Sequence, residues 1–120
     1  MKKLYKFISL LMFFPLSSFA NSNLSIDGNS LYKGYQLYER GFDYLNNADY
    51  QKALMYMTYV AGVAGTLSTI EVICNKNITI GQEADIVGIY LREHPKERTD
   101  LSPAQLTMVA LVSEIPCPKK

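Results

Sequence analysis

The side chains best suited to covalent or metal chemistry in this 120-residue chain are Cys74, Cys117 and its single histidine, His94. A cysteine beside a histidine can act as a nucleophile pair, and both residue types ligate zinc. One histidine excludes a multi-histidine metal site. The nucleophile pair needs a free thiol, so the chemistry turns on the redox compartment in which the chain works.

The first twenty residues address that question. Lys2, Lys3 and Lys6 make a basic start, Leu4 to Leu16 is apolar, and Ser18-Phe19-Ala20 places small residues where a signal peptidase cleaves. This pattern predicts a signal peptide over residues 1–20, cleavage after Ala20, a single domain over 21–120, and a periplasmic location. The apolar run is too short for a comfortable membrane span, and polar Asn21, Ser22 and Asn23 follow it. No membrane association is therefore expected after cleavage. In an oxidising compartment two cysteines read most simply as one disulfide, Cys74 to Cys117. It would close a loop of roughly 44 residues and stabilise the fold by about 4 kcal/mol on the chain-entropy account.

Other chemistry is sparse. No glycine-rich phosphate loop and no G-x-S-x-G elbow is present. Cleavage would remove three of the twelve basic residues and none of the eleven acidic ones, leaving an excess of two acids. That balance argues against a nucleic-acid partner. The expectation is a non-enzyme without cofactor or metal. Eight tyrosines and one phenylalanine follow residue 20. Tyr32, Tyr35, Tyr38, Tyr56, Tyr59 and Tyr90 have apolar bodies with a polar end, a type common both in small cores and in protein interfaces.

Helices must position these groups. Leu31, Tyr35, Tyr38, Phe42 and Leu45 recur at helical spacing, and Asn46-Asn47 is read as the end of that first helix. Gly34 and Gly41 weaken it, which implies a close neighbour or a kink. Asp49 is read as the cap of a second helix from Tyr50. Its stretch from Ala53 to Ile70 has no charge and is expected to be buried on most of its surface, with Ala61, Gly62, Ala64 and Gly65 admitting a neighbouring helix. Tyrosines, threonines, a serine and two glycines make this stretch a poor membrane span.

Thr79 with Gln82 and Ser102 with Gln105 are capping boxes that start two further helices, the second with Pro103 at its first position and a Leu101–Leu106 staple. Ile80, Ala84, Val87, Tyr90 and Leu91 are expected on one face of the third helix, which His94-Pro95 stops. His94 is read as helping the last carbonyls there. Leu106, Val109, Ala110 and Ser113 are expected to point inward from the last helix. No stretch alternates as a strand, so the fold class is all-α: a small four- to five-helix bundle stabilised by one disulfide.

The order Cys74, Thr79, Gly81, Gln82, Tyr90, Leu91, His94, Pro95, Arg98, Pro116, Cys117 resembles the Rap/Tai immunity proteins, which protect bacteria from peptidoglycan amidases delivered by type VI secretion. Upstream, Tyr59-Val60-Ala61-Gly62-Val63 is similar to the family's Gly-Tyr-x-x-Gly segment, with Thr58 where a glycine is usual. Many members carry a further cysteine pair joining the first two helices; this chain has none around Gly34-Tyr35 and Tyr56. The resemblance implies a periplasmic helical protein, often a homodimer, that binds a cognate amidase effector and occludes its active-site cleft. The charged loop Glu93 to Asp100 is the expected contact, with Glu93, Lys96, Glu97, Arg98 and Asp100 facing the partner. An acid-stress chaperone or another helical binding protein is the competing reading, although one histidine supplies little machinery for a pH switch.

Overall fold

The computed structural model describes residues 26–119, so the signal-peptide expectation lies outside the described residues. The elements are α1 (Gly28–Arg40), a 3-10 turn (Phe42–Tyr44), α2 (Asn47–Thr69), α3 (Ile80–Glu93), the one-turn α4 (Glu97–Asp100) and α5 (Pro103–Glu114). Among the described residues there is no strand beyond an isolated antiparallel bridge between Ile73 and Pro116. No helix there is long and apolar enough to cross a membrane. The all-α, disulfide-bonded bundle expected from the periodicity is the observed architecture.

Local signals place the helix ends. The Asp27 carboxylate accepts from the Ser30 amide at 2.7 Å, which starts α1 and holds the Asp27 pKa below its ordinary value. Both capping boxes are formed, Thr79 with Gln82 and Ser102 with Gln105. Two boundaries differ from the sequence reading. α1 stops at Arg40, because Gly41 adopts φ +89° and its amide turns back to the Tyr38 carbonyl. Phe42 and Leu45 therefore follow the helix instead of extending its apolar face. α2 starts at Asn47, capped by Asn46, whose side chain accepts from the Asp49 amide at 2.9 Å. Asp49 occupies the first turn, where its charge complements the helix dipole.

The core is a single cluster. α1 gives Leu31 and Tyr35, α2 gives Tyr56, Val60, Ala64 and Leu67, α3 gives Ala84, Val87 and Leu91, and α5 gives Leu106, Ala110 and Leu111. α1 and α2 run antiparallel, since Gly34 meets Tyr56 while Phe42 meets Tyr50 with ring centroids 5.0 Å apart. At this junction the Tyr35 and Tyr56 rings pack with centroids 5.7 Å apart. The Tyr56 hydroxyl crosses to the Ala84 carbonyl at 2.5 Å, joining α2 to α3 inside the core. Burial pushes the Tyr56 pKa far above its ordinary value.

Several packing expectations are corrected. α2 buries one stripe, Ala53, Tyr56, Val60, Ala64 and Leu67, and not most of its surface. Gly62 and Gly65 face open space, so among the small residues singled out there Ala64 alone is fully buried. Ile80 is 51% exposed, whereas Glu83 is buried and accepts from the Asn75 side chain at 3.1 Å. In α5 it is Thr107 and Leu111 that turn inward beside Leu106 and Ala110; Val109 and Ser113 are exposed. The Thr107 hydroxyl donates to the Pro103 carbonyl at 2.7 Å, which lets it enter the core without an unpaired donor.

Candidate partner-binding surface

The corner between α3 and α5 is built by a helix stop. Pro95 bars helical geometry at His94, which ends α3, and the chain closes one further turn as α4. The His94 Nδ1 lies 2.8 Å from the Tyr90 carbonyl, and its ring stacks on Tyr90 with centroids 4.0 Å apart. The histidine thus meets a late carbonyl of α3, as its position predicts. The Tyr90 hydroxyl donates to the Glu97 carboxylate. Burial, together with that bond, pushes its pKa from 10.0 up to about 12.

Arg98 is held from the other side. Its guanidinium carbon sits 4.1 Å from the centroid of the Tyr32 ring, a cation–π contact that ties α4 to α1. Its Nε is buried without a hydrogen-bond partner. Gly28 packs against the Arg98 backbone so closely that a Cβ there would overlap the carbonyl oxygen. The turn is closed by the Leu101 amide on the Glu97 carbonyl at 2.9 Å and by the Thr99 hydroxyl on the Lys96 carbonyl at 2.8 Å.

The structure therefore gathers Glu93, Lys96, Glu97, Arg98 and Asp100 at one corner but in two environments. Glu97 and Arg98 are half-buried and tied to Tyr90 and Tyr32, while Glu93, Lys96 and Asp100 are exposed on the rigid turn. Tyr32 completes this corner from a helix more than sixty residues upstream, and spacing alone carries no signal of that pairing. Nearby, the Tyr35 hydroxyl donates to Glu39 at 2.7 Å and Arg92 approaches the same carboxylate at 3.4 Å. This ion pair is half exposed, so it contributes little to stability.

The arrangement can present fixed charge to a macromolecular surface. Among the described residues no group of three or more His, Cys, Asp or Glu is placed to hold a metal ion. Cys74 and Cys117 are joined as a disulfide, which removes both thiols from nucleophilic chemistry.

The neutral tyrosine is part of this corner, which sets its alkaline behaviour. An unfolded chain releases the Tyr90 proton near 10.0, whereas the folded chain holds it to about 12. The native state then binds more protons over that window, so stability present below pH 10 falls as pH rises through it. The urea midpoint is expected to be lower at pH 11.5 than at pH 9, and Tyr90→Phe is expected to flatten part of that slope. An unchanged slope in the variant would contradict the assignment.

Compared with known protein families, residues 27–117 match the family model described as Rap1a immunity proteins. No curated protein and no solved structure matches the chain.

Proposed function

Because this chain belongs to the Rap1a immunity proteins, we propose that it neutralises a cognate effector, a peptidoglycan amidase delivered by type VI secretion, by binding over its active-site cleft. Protection of this kind requires tight, selective association and no catalysis. The pattern of residues 1–20 supports action in the periplasm after cleavage at Ala20, where the effector would arrive.

The observation that carries the contact surface is the α3–α4 corner. Glu93, Lys96 and Asp100 project from a turn whose geometry is held by Pro95, the Tyr90–Glu97 bond and the Arg98–Tyr32 stack. A rigid turn loses little conformational freedom on binding, and its charges select a complementary surface. Glu97 and Arg98 contribute by holding the turn and through their exposed edges.

The test is capture from an extract with active type VI secretion, using the exported, oxidised protein as bait and mass spectrometry to identify what it holds. One amidase at near-stoichiometric yield is the expected result. The triple reversal Glu93→Lys, Lys96→Glu, Asp100→Lys is expected to weaken capture by at least about tenfold, the scale of a close interfacial charge pair, with its helical spectrum unchanged. Undiminished capture by that variant would move the contact elsewhere. Unrelated proteins bound only after acidification, or peptidoglycan hydrolysis by the protein itself, would overturn the immunity reading.

A further inference from the structure

We infer that the groove between α1 and α2 is a second docking surface, which seats an extended acidic segment of a protein partner, its apolar side chain over Leu31, Met55 and Tyr59 and its carboxylates on Lys33 and Lys52. The groove follows from the helix contact. Gly34 lets α1 approach α2 so closely that a Cβ there would lie 2.7 Å from the Tyr56 Cβ. Met55 and Tyr59 are thereby brought alongside the first turns of α1, and they enclose an open groove of about 460 Å³.

Its chemistry is asymmetric. Leu31 and Tyr56 are buried in the core, whereas Met55 is half exposed, so the groove presents apolar surface that the bundle does not cover. Methionine and tyrosine are the residue types enriched where protein interfaces are driest. Lys33 and Lys52 also line the groove; both are exposed, and neither forms an ion pair among the described residues. Asp27 also lines the groove and keeps its negative charge while it accepts the Ser30 amide as the cap of α1. Two lysines against one carboxylate leave a net positive charge beside an apolar floor, which favours a carboxylate-flanked apolar side chain. Tyr32, the residue that carries Arg98, does not line the groove, so this surface is separate from the α3–α4 corner.

The inference depends on the immunity reading only for which protein brings the segment, and a peptide probe separates the two. Isotope-labelled oxidised protein, purified from the periplasm of an export-competent host, is titrated at low salt with the blocked peptide acetyl-Asp-Phe-Asp-amide and followed by amide chemical shifts. Saturable shifts confined to residues lining the groove are expected. The double variant Lys33→Glu, Lys52→Glu is expected to weaken peptide binding by about tenfold, because two exposed attractions become repulsions. Met55→Glu should abolish binding with the helical spectrum intact, and the Asn-Phe-Asn peptide should bind more weakly than the acidic one. Absent shifts, shifts centred elsewhere, or groove shifts that grow with protein concentration alone, which would mean a second copy fills it, each overturn the inference. Peptide binding by a chain that captures no amidase would sink the immunity reading and leave this one standing; capture without peptide binding would do the reverse.

Discussion

Replacing Cys74 and Cys117 together by alanine is expected to lower the free energy of unfolding by about 4 kcal/mol, the largest loss available from any single cross-link in so small a domain. The bridge spans a sequence separation of 43 residues and closes α3, α4 and α5 into one loop. It also fastens the end of the chain over the core. The Cys74 amide donates to the Ile115 carbonyl at 3.0 Å and the Cys117 amide to the Val72 carbonyl at 3.4 Å. Between them Ile73 is buried against the cluster. Without the bridge these two bonds must hold the strap alone, and Ile73 is exposed whenever it lifts. A fall of more than about 10 °C in Tm is expected for a domain of this size, by calorimetry of the double variant or of the wild type under a dithiol reductant. Agreement of the two forms within about 1 kcal/mol would mean that the helical core alone carries the stability.

The same substitution should change stability in opposite directions at two glycines, both inside helices. Gly88→Ala is expected to cost about 2 kcal/mol, and Gly62→Ala to gain up to about 1 kcal/mol. Alanine favours a helix over glycine at either place, so the difference lies in what surrounds the new methyl group. At Gly88 the Cβ would lie 2.1 Å from both Cδ2 and Cε2 of the Tyr35 ring, far inside van der Waals contact. That ring is buried between Tyr32, Tyr38 and Tyr56, so it has no free side toward which to turn. At Gly62 nothing lies within 4 Å. Urea unfolding of the two variants beside the wild type reads both signs in one experiment. A stabilised Gly88→Ala would show that α1 and α3 are less tightly packed than described, and a destabilised Gly62→Ala would show that its face is covered in solution.

These glycines mark how far the chain could be read residue by residue. A capping box involves groups three residues apart, so Thr79-Ile80-Gly81-Gln82 and Ser102-Pro103-Ala104-Gln105 announce two helix starts whatever surrounds them. Pro95 ends α3 for the same local reason, and two cysteines allow one intramolecular pairing. The family was legible because the order of residues from Tyr59 to Cys117 resembles it, and the match over residues 27–117 bears it out.

Which face each helix buries was less legible. From Ala53 to Ile70 the chain has no charge to mark a wet side, so the sequence could not separate the buried stripe through Val60 and Ala64 from the open face at Gly62 and Gly65. Gly34, Gly62 and Gly88 are the same residue inside helices, and only the neighbour at Tyr56, at nothing, or at Tyr35 distinguishes them. Glu83 has the composition of a solvated face, yet it is buried against Asn75. The loop from Glu93 to Asp100 forms one corner. Its division into exposed Glu93, Lys96 and Asp100 and fold-bound Glu97 and Arg98 depends on Tyr90 and on Tyr32 from a distant helix.

By itself the sequence determined the family, the all-α class, most helix limits and the single disulfide, because caps, stops and cysteine count act through neighbours in the chain or through simple exhaustion of partners. Only the tertiary structure decided which glycines are contacts, which charges are free to meet a partner, and where α1 and α2 leave apolar surface open. Those properties belong to pairs of residues brought together by packing, and packing depends on the shapes of all the helices at once.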